Sequence, residues 1–329
     1  MPSASQVVVV LGTGGTIAGT AAQASDHVGY TAGALSAQAL IAAVPGLGGG
    51  AVEAESVAQL DSCDMSHATW VALRLAVQQH LARPEVCGVV VTHGTDTLEE
   101  TAYFLHRTVA AHKPVVLTAA MRPATALSAD GPQNLFDAVA VARLPGAQGV
   151  LAALNGKVYA GADLRKVHGY VVEAFSAGDA GPLAVVQGGA LRSFRPWPQP
   201  VLHAAASRLP PAPNWPVVDI VTSHAGARGA VIAALVAAGA QGLVIAGTGN
   251  GSVHHALKAA AQAAVAAGVT VRRASRCQMG GVVAGENDSE NDSENDSEDG
   301  GEEAGSLPDA GVLTAPQARI ELMLDLMLR

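Results

Sequence analysis

The sequence predicts an α/β protein of two domains. The larger, N-terminal one is built on a parallel sheet of the flavodoxin/Rossmann-like kind, and the smaller, C-terminal one is also α/β. Three observations predict this. Val-rich apolar runs alternate with segments whose apolar residues recur three and four apart, the pattern of a parallel sheet covered by helices. At 329 residues the chain exceeds the usual size of one domain. Seven of its 17 prolines fall between Pro196 and Pro216. Residues 194–216 carry little periodicity and read as a linker between domains at 1–193 and 217–329.

The elements follow in order. Val7–Leu11, Gly88–Val91, Val115–Thr118 and Gly149–Leu154 read as buried strands, Val-rich and bounded by Gly or Pro. Ser36–Val44, His67–Ala82, Asp96–Ala111 and Gln133–Ala142 carry the helical spacing. Asp96 is the expected cap of its helix, with Glu99 three residues on and Glu100 beside it to complement the dipole. Beyond the prolines, Val217–Thr222, Gly242–Ala246 and Val269–Arg272 read as strands. Ala227–Ala238, Val253–Ala267 and a terminal Ala315–Leu328 read as helices.

Composition narrows the function. The net charge of −9 is local: residues 286–303 hold ten acidic side chains, and without them 18 acids face 19 bases. A near-neutral body gives no support to nucleic-acid binding. The acidic stretch repeats Glu-Asn-Asp-Ser and reads as a solvated loop; it lacks the spaced pattern of a calcium loop. Three scattered cysteines make neither a disulfide framework nor a zinc site. No apolar run is long enough to span a membrane, and the opening residues lack a secretory signal pattern, so a cytoplasmic protein is expected, or a periplasmic one where a signal has been removed.

Two threonine-glycine loops carry the chemistry. Leu11-Gly-Thr-Gly-Gly-Thr-Ile-Ala-Gly-Thr20 follows the first strand, and Thr92-His-Gly-Thr-Asp-Thr-Leu-Glu-Glu100 follows Gly88–Val91. Each presents hydroxyls at the carboxyl edge of a parallel sheet, where ligands bind. The dinucleotide fingerprint fails because Ile17 stands where a third glycine is required, and the phosphate-loop pattern fails for want of a lysine. Nucleophilic catalysis remains open beside simple turn formation. A threonine needs a base to become a nucleophile, and glycine-rich loops offer N–H groups to an oxyanion.

Thr13-Gly-Gly-Thr-Ile-Ala-Gly19 and Thr92-His-Gly-Thr-Asp-Thr97 resemble the two signature segments of the bacterial-type L-asparaginase/glutaminase family. The resemblance continues through Leu98–Leu105, Lys113–Val116, Ala120–Pro123, Ser128–Leu135, Gly247–Gly251 and Ala274–Arg276. It covers nearly the whole chain and is closest to the high-affinity type II enzymes. It implies hydrolysis of L-asparagine to L-aspartate and ammonia through a threonine acyl-enzyme, with no metal or cofactor. It also implies a homotetramer made of intimate dimers.

By the same resemblance, Thr16 is the nucleophile and Tyr30 helps activate it. Thr95, Asp96 and Lys166 form a second constellation, in which Lys166 serves as base. Ser62 and Asp96 hold the substrate's α-carboxylate and α-amino groups, and the Ala120 carbonyl meets its amide. Asn250 reaches the site from a neighbouring subunit. Cys63 stands where glutamine is common. The family's inter-subunit glutamate falls at Asn287, which makes the adjacent Glu286 the candidate. His93 reads as a structural hydrogen-bonding residue, and the clusters Met121–Pro123 and Ser128–Leu135 as shapers of loops and helix starts. The alternatives are a dual glutaminase-asparaginase, an amidotransferase-type subunit and a non-catalytic amino-acid-binding protein.

Overall fold

Eight strands make the principal sheet of the computed structural model, which describes residues 6–47, 51–283 and 307–329. They are β1 (Val7–Gly14), β2 (Val52–Leu60), β3 (Val86–Thr92), β4 (Val115–Thr118), β5 (Val150–Leu154), β6 (Lys157–Ala160), β9 (Ala184–Gln187) and β10 (Ala190–Ser193). A separate two-stranded ladder, β7 (Arg165–Lys166) with β8 (Phe175–Ser176), lies between β6 and β9 in sequence. The sheet order is β10-β9-β6-β5-β4-β3-β1-β2. β2, β1, β3, β4 and β5 run parallel, while β6, β9 and β10 add antiparallel pairs.

Helices α1 (Ala37–Ala42), α2 (His67–Leu81), α3 (Leu98–Thr108) and α4 (Gly131–Ala142) connect the parallel strands. Strand order reverses between β1 and β3. Those are the strands that carry the two threonine loops, so both loops open at the topological switch point of the sheet. The core beneath is Val8, Val10, Val90, Val116, Leu151, Leu135 and Val139, all essentially inaccessible.

β2 escapes an apolar-run reading because it is an edge strand, with Glu53 and Glu55 among its nine residues. Those acids face the end of α2 and its exit: Glu55 meets His80 at 2.7 Å and Glu53 meets Arg83 at 2.6 Å. The helix α3 starts at Leu98, with Thr97 rather than Asp96 at its cap position and no side-chain cap bond. The expected Asp96 cap is therefore corrected; its carboxylate is engaged elsewhere.

The chain divides into two compact units, Met1–Pro213 and Asn214–Arg329. Residues 194–213 thus count with the first unit. The turn Ala204–Ser207 within them buries Ala205 and Ala206, and Arg74 donates to the Ala206 carbonyl at 2.6 Å. The second unit holds a parallel sheet, β11 (Val218–Thr222), β12 (Gly242–Gly247) and β13 (Thr270–Ser275), in that order. Around it pack α5 (Ala230–Ala237), α6 (His255–Ala266) and α7 (Ala315–Leu326). The last starts with a capping box between Thr314 and Gln317.

Candidate active site

Two glycines let the loops meet. A Cβ on Gly15 would stand 2.2 Å from Gly94 Cα, and one on Gly94 would stand 2.5 Å from Ser62 Oγ. The loops after β1, β2 and β3 therefore close on one another at backbone distance. Gly15 also has φ +79°, a conformation side chains resist.

Thr16 opens a short helical turn, Thr16–Ala18, and is buried. Its hydroxyl lies 2.6 Å from the Tyr30 hydroxyl. Tyr30 arrives on a segment closed by the paired backbones of Thr20 and Thr31, and its ring covers Gly19, where a Cβ would be 2.8 Å from Cδ2. Burial raises the Tyr30 pKa above the ordinary phenol value, against the lowering effect of the Thr16 bond, and Asp61 and Asp96 raise it further. Tyr30 is thus a neutral phenol at neutral pH.

The second loop places Thr95, also buried, beside Lys166. Lys166 Nζ donates to Thr95 Oγ1 at 3.0 Å and to Asp96 Oδ1 at 2.6 Å. The lysine side chain is 17% exposed and the aspartate 53%, so the amine is shielded while the carboxylate faces solvent. Ser62 clamps the same loop: its hydroxyl accepts from the Asp96 N–H at 3.1 Å and its carbonyl accepts from the Thr97 hydroxyl at 2.8 Å. Cys63, next to it, is exposed. Its thiol pKa is raised first by desolvation, then by Asp61, Asp64 and Asp96.

Ala120 lies on the loop after β4, and its peptide is fixed from both sides. Asn134 Nδ2 donates to the Ala119 carbonyl at 2.9 Å, and Asp130 accepts from the N–H groups of Met121 and Arg122. Ala120 and Thr95 line one small cavity with Asn134, Phe175 and Val172. The role of Asp130 and Asn134 was legible only in outline, as residues shaping a helix start.

His93 is wholly buried, and burial drives its pKa down to about 4. It is therefore neutral. The Gly94 carbonyl, 2.7 Å from Nδ1, can only accept, so Nδ1 carries the proton. Nε2 then accepts from the Thr101 hydroxyl at 2.9 Å, which itself accepts from Trp70 Nε1 at 2.8 Å. This chain pins the loop from behind and leaves His93 no role as a base.

Asn250 lies in the second unit, exposed, and exchanges two hydrogen bonds with the Val283 backbone. Glu286 lies outside the described residues. The first unit thus brings together Thr16 with Tyr30, and Ser62, Thr95, Asp96 and Lys166 in one network. Among the described residues, Asp61, Cys63 and Asp96 are the group whose donor atoms converge, within 4.8 Å, as metal ligands would. Two of the three are exposed and the thiol is held protonated, which makes it a poor ligand.

Family models describe both units. The N-terminal asparaginase model matches residues 7–199, and the C-terminal glutaminase/asparaginase domain model matches 217–328. A glutaminase-asparaginase of Pseudomonas fluorescens biotype A is 38% identical over 279 residues, 84% of this chain and 77% of the relative. A probable periplasmic L-asparaginase of Haemophilus influenzae is 38% identical over 83% of this chain and 78% of its own length. The crystal structure of a probable cytoplasmic L-asparaginase from Campylobacter jejuni matches with a TM-score of 0.87 at 34% identity, covering 98% of this chain and 96% of that one.

Proposed function

Since the chain belongs to the asparaginase/glutaminase family, we propose that it is an L-asparagine amidohydrolase working through a threonine acyl-enzyme. One observation carries the reading: a half-buried threonine–tyrosine pair and a threonine–lysine–aspartate network sit on loops that abut at the switch point of the sheet. A binding protein has no need of a lysine aimed at a threonine hydroxyl.

In this reading Thr16 Oγ attacks the side-chain amide carbon. Its proton passes through the neutral Tyr30 phenol toward the leaving nitrogen, and the C–N bond breaks to release ammonia. Water, oriented by Thr95 and deprotonated by Lys166 in its amine form, then adds to the acyl ester and frees Thr16 and aspartate. Ser62 and Asp96 hold the α-carboxylate and α-ammonium, and the fixed Ala120 carbonyl accepts from the amide. The family points to a homotetramer, in which Asn250, and Glu286 in the acidic segment, would complete a partner's site. No helix among the described residues is long and apolar enough to cross a membrane.

The test is ammonia release from L-asparagine, D-asparagine and L-glutamine by the wild type, Thr16→Ala and Thr95→Val. L-Asparagine turnover that collapses in both variants supports the assignment. Full activity in both would refute it, and comparable L-glutamine turnover would favour a dual glutaminase-asparaginase, as one relative is named.

A further inference from the structure

Lys166 and the Thr95–Asp96 loop come from segments about seventy residues apart, so their spacing must be set by whatever joins them. The Lys166 strand is two residues long and pairs with a strand of two, a ladder too short to define position alone. Beyond the ladder and the Val167 N–H to the Ala174 carbonyl at 2.8 Å, a carboxylate adds a direct tie to the helix start. Glu99 Oε2 accepts from the Lys166 backbone N–H at 2.8 Å. Glu99 stands in the first turn of α3, three residues beyond Asp96, so it fastens the Lys166 peptide to the helix start that carries the threonine loop.

We propose that Glu99 is a positioning residue whose ionisation sets how firmly Lys166 is held against Thr95, and that it supplies the acidic limb of the pH–activity profile. The inference rests on the reading of Lys166 as base. Groups on both neighbouring elements bear on Glu99. On α3, Glu100 opposes its charge; on the β7 ladder, Arg165, Lys166 and the Lys166 N–H favour it. Asp96, on the preceding loop, is engaged by Lys166 Nζ. Burial outweighs the favourable partners and lifts the Glu99 pKa to about 7. Above that pH the Lys166 N–H meets a carboxylate; below it, it meets a neutral carboxyl, a weaker acceptor.

Two measurements test this. The chain has four lysines, Lys113, Lys157, Lys166 and Lys258, so 15N-lysine labelling gives four backbone amides, and Lys166→Arg identifies the one at 166. That amide proton is expected to move downfield as pH rises through about 7 and to stay still in Glu99→Gln. A Lys166 amide that does not titrate, or titrates equally in Glu99→Gln, overturns the proposal whether or not the protein releases ammonia. In turnover, wild-type kcat for L-asparagine is expected to fall about fivefold, the order separating a charged from a neutral hydrogen bond. Glu99→Gln is expected to be flat at the acidic plateau with KM little changed. A variant that keeps the wild-type limb refutes the proposal, whereas a wild type without turnover refutes the functional reading instead. Should Glu99→Gln fail to fold, the wild-type limb decides. Carboxyl ionisation carries almost no heat, so a limb that shifts with temperature as an ammonium or imidazolium would overturns the assignment.

Discussion

Replacing Gly15 by alanine tests whether the two threonine loops depend on touching at backbone distance. The substitution carries two costs. At φ +79° and ψ −173°, a region essentially reserved for glycine, an L-residue costs about 1–3 kcal/mol. The new methyl would also lie 2.2 Å from Gly94 Cα, 2.4 Å from Gly94 N and 2.8 Å from His93 C. All three atoms are backbone, so no rotamer change relieves the overlap. That backbone is itself pinned, by His93 N–H to the Thr118 carbonyl at 2.9 Å and by His93 Nδ1 to the Gly94 carbonyl. Overpacking of this kind costs roughly 1–3 kcal/mol, so the total is about 2–6 kcal/mol, or a melting temperature lower by roughly 4–24 °C. Thr16 is the next residue, and a displacement near 1 Å costs on the order of a hundredfold in rate. Thermal denaturation by circular dichroism and kcat/KM for ammonia release read the two effects. Gly146→Ala is the control: it also has a positive φ, +80°, but nothing within 4 Å, so it should show a backbone cost without any overlap, with full activity. Gly15→Ala that melts with Gly146→Ala and keeps wild-type kcat/KM would refute the reasoning.

Lys166→Met removes the donor to Thr95 and Asp96 and should lower kcat on L-asparagine by about a hundredfold or more; steady-state kinetics within threefold of wild type would exclude Lys166 as base. His93→Asn bears on acid stability. The native pKa is about 4 against an ordinary 6.5, so below 6.5 the unfolded chain takes up a proton that the native state refuses. The stability held above 6.5 is lost as pH falls through 4, by ~3 kcal/mol. The melting-temperature gap between wild type and His93→Asn should therefore narrow over that window, and parallel curves would contradict the burial of a neutral histidine.

What could be read from the sequence divides along physical lines. Buried parallel strands such as Val7–Leu11 announce themselves, because both faces are apolar. β2 does not, since its charges are satisfied by His80 and Arg83, which lie over twenty residues away. The candidate site residues, with the Thr16–Tyr30 and Thr95–Asp96–Lys166 pairings, were nameable by resemblance to a family, but the hold of Glu99 on the Lys166 backbone was not. Asp96 and Glu99 fit a capping box by spacing; in the structure both turn to Lys166, one to its side chain and one to its backbone. A local pattern cannot report a competitor seventy residues downstream. The hydroxyl of Thr101, bridging Trp70 and His93, was invisible for the same reason.

Glu99 shows why that competition matters. A carboxyl whose pKa is raised from 4.5 to about 7 by burial stabilises the fold only while protonated. Its contribution is full below 4.5 and is lost as pH rises through 7, so at pH 8 the charged form costs up to ~3 kcal/mol. A glutamine could accept the Lys166 N–H without that cost. If the position served stability alone, Glu99→Gln would be an improvement in every respect. If the carboxylate holds Lys166 for catalysis, Glu99→Gln should melt several degrees higher at pH 8, show no such gain at pH 4.5, and still turn over more slowly. Melting curves at the two pH values beside kcat separate these outcomes. A variant that gains stability and keeps the alkaline rate would make the charge incidental, and the brace on Lys166 would then be a matter of shape rather than of ionisation.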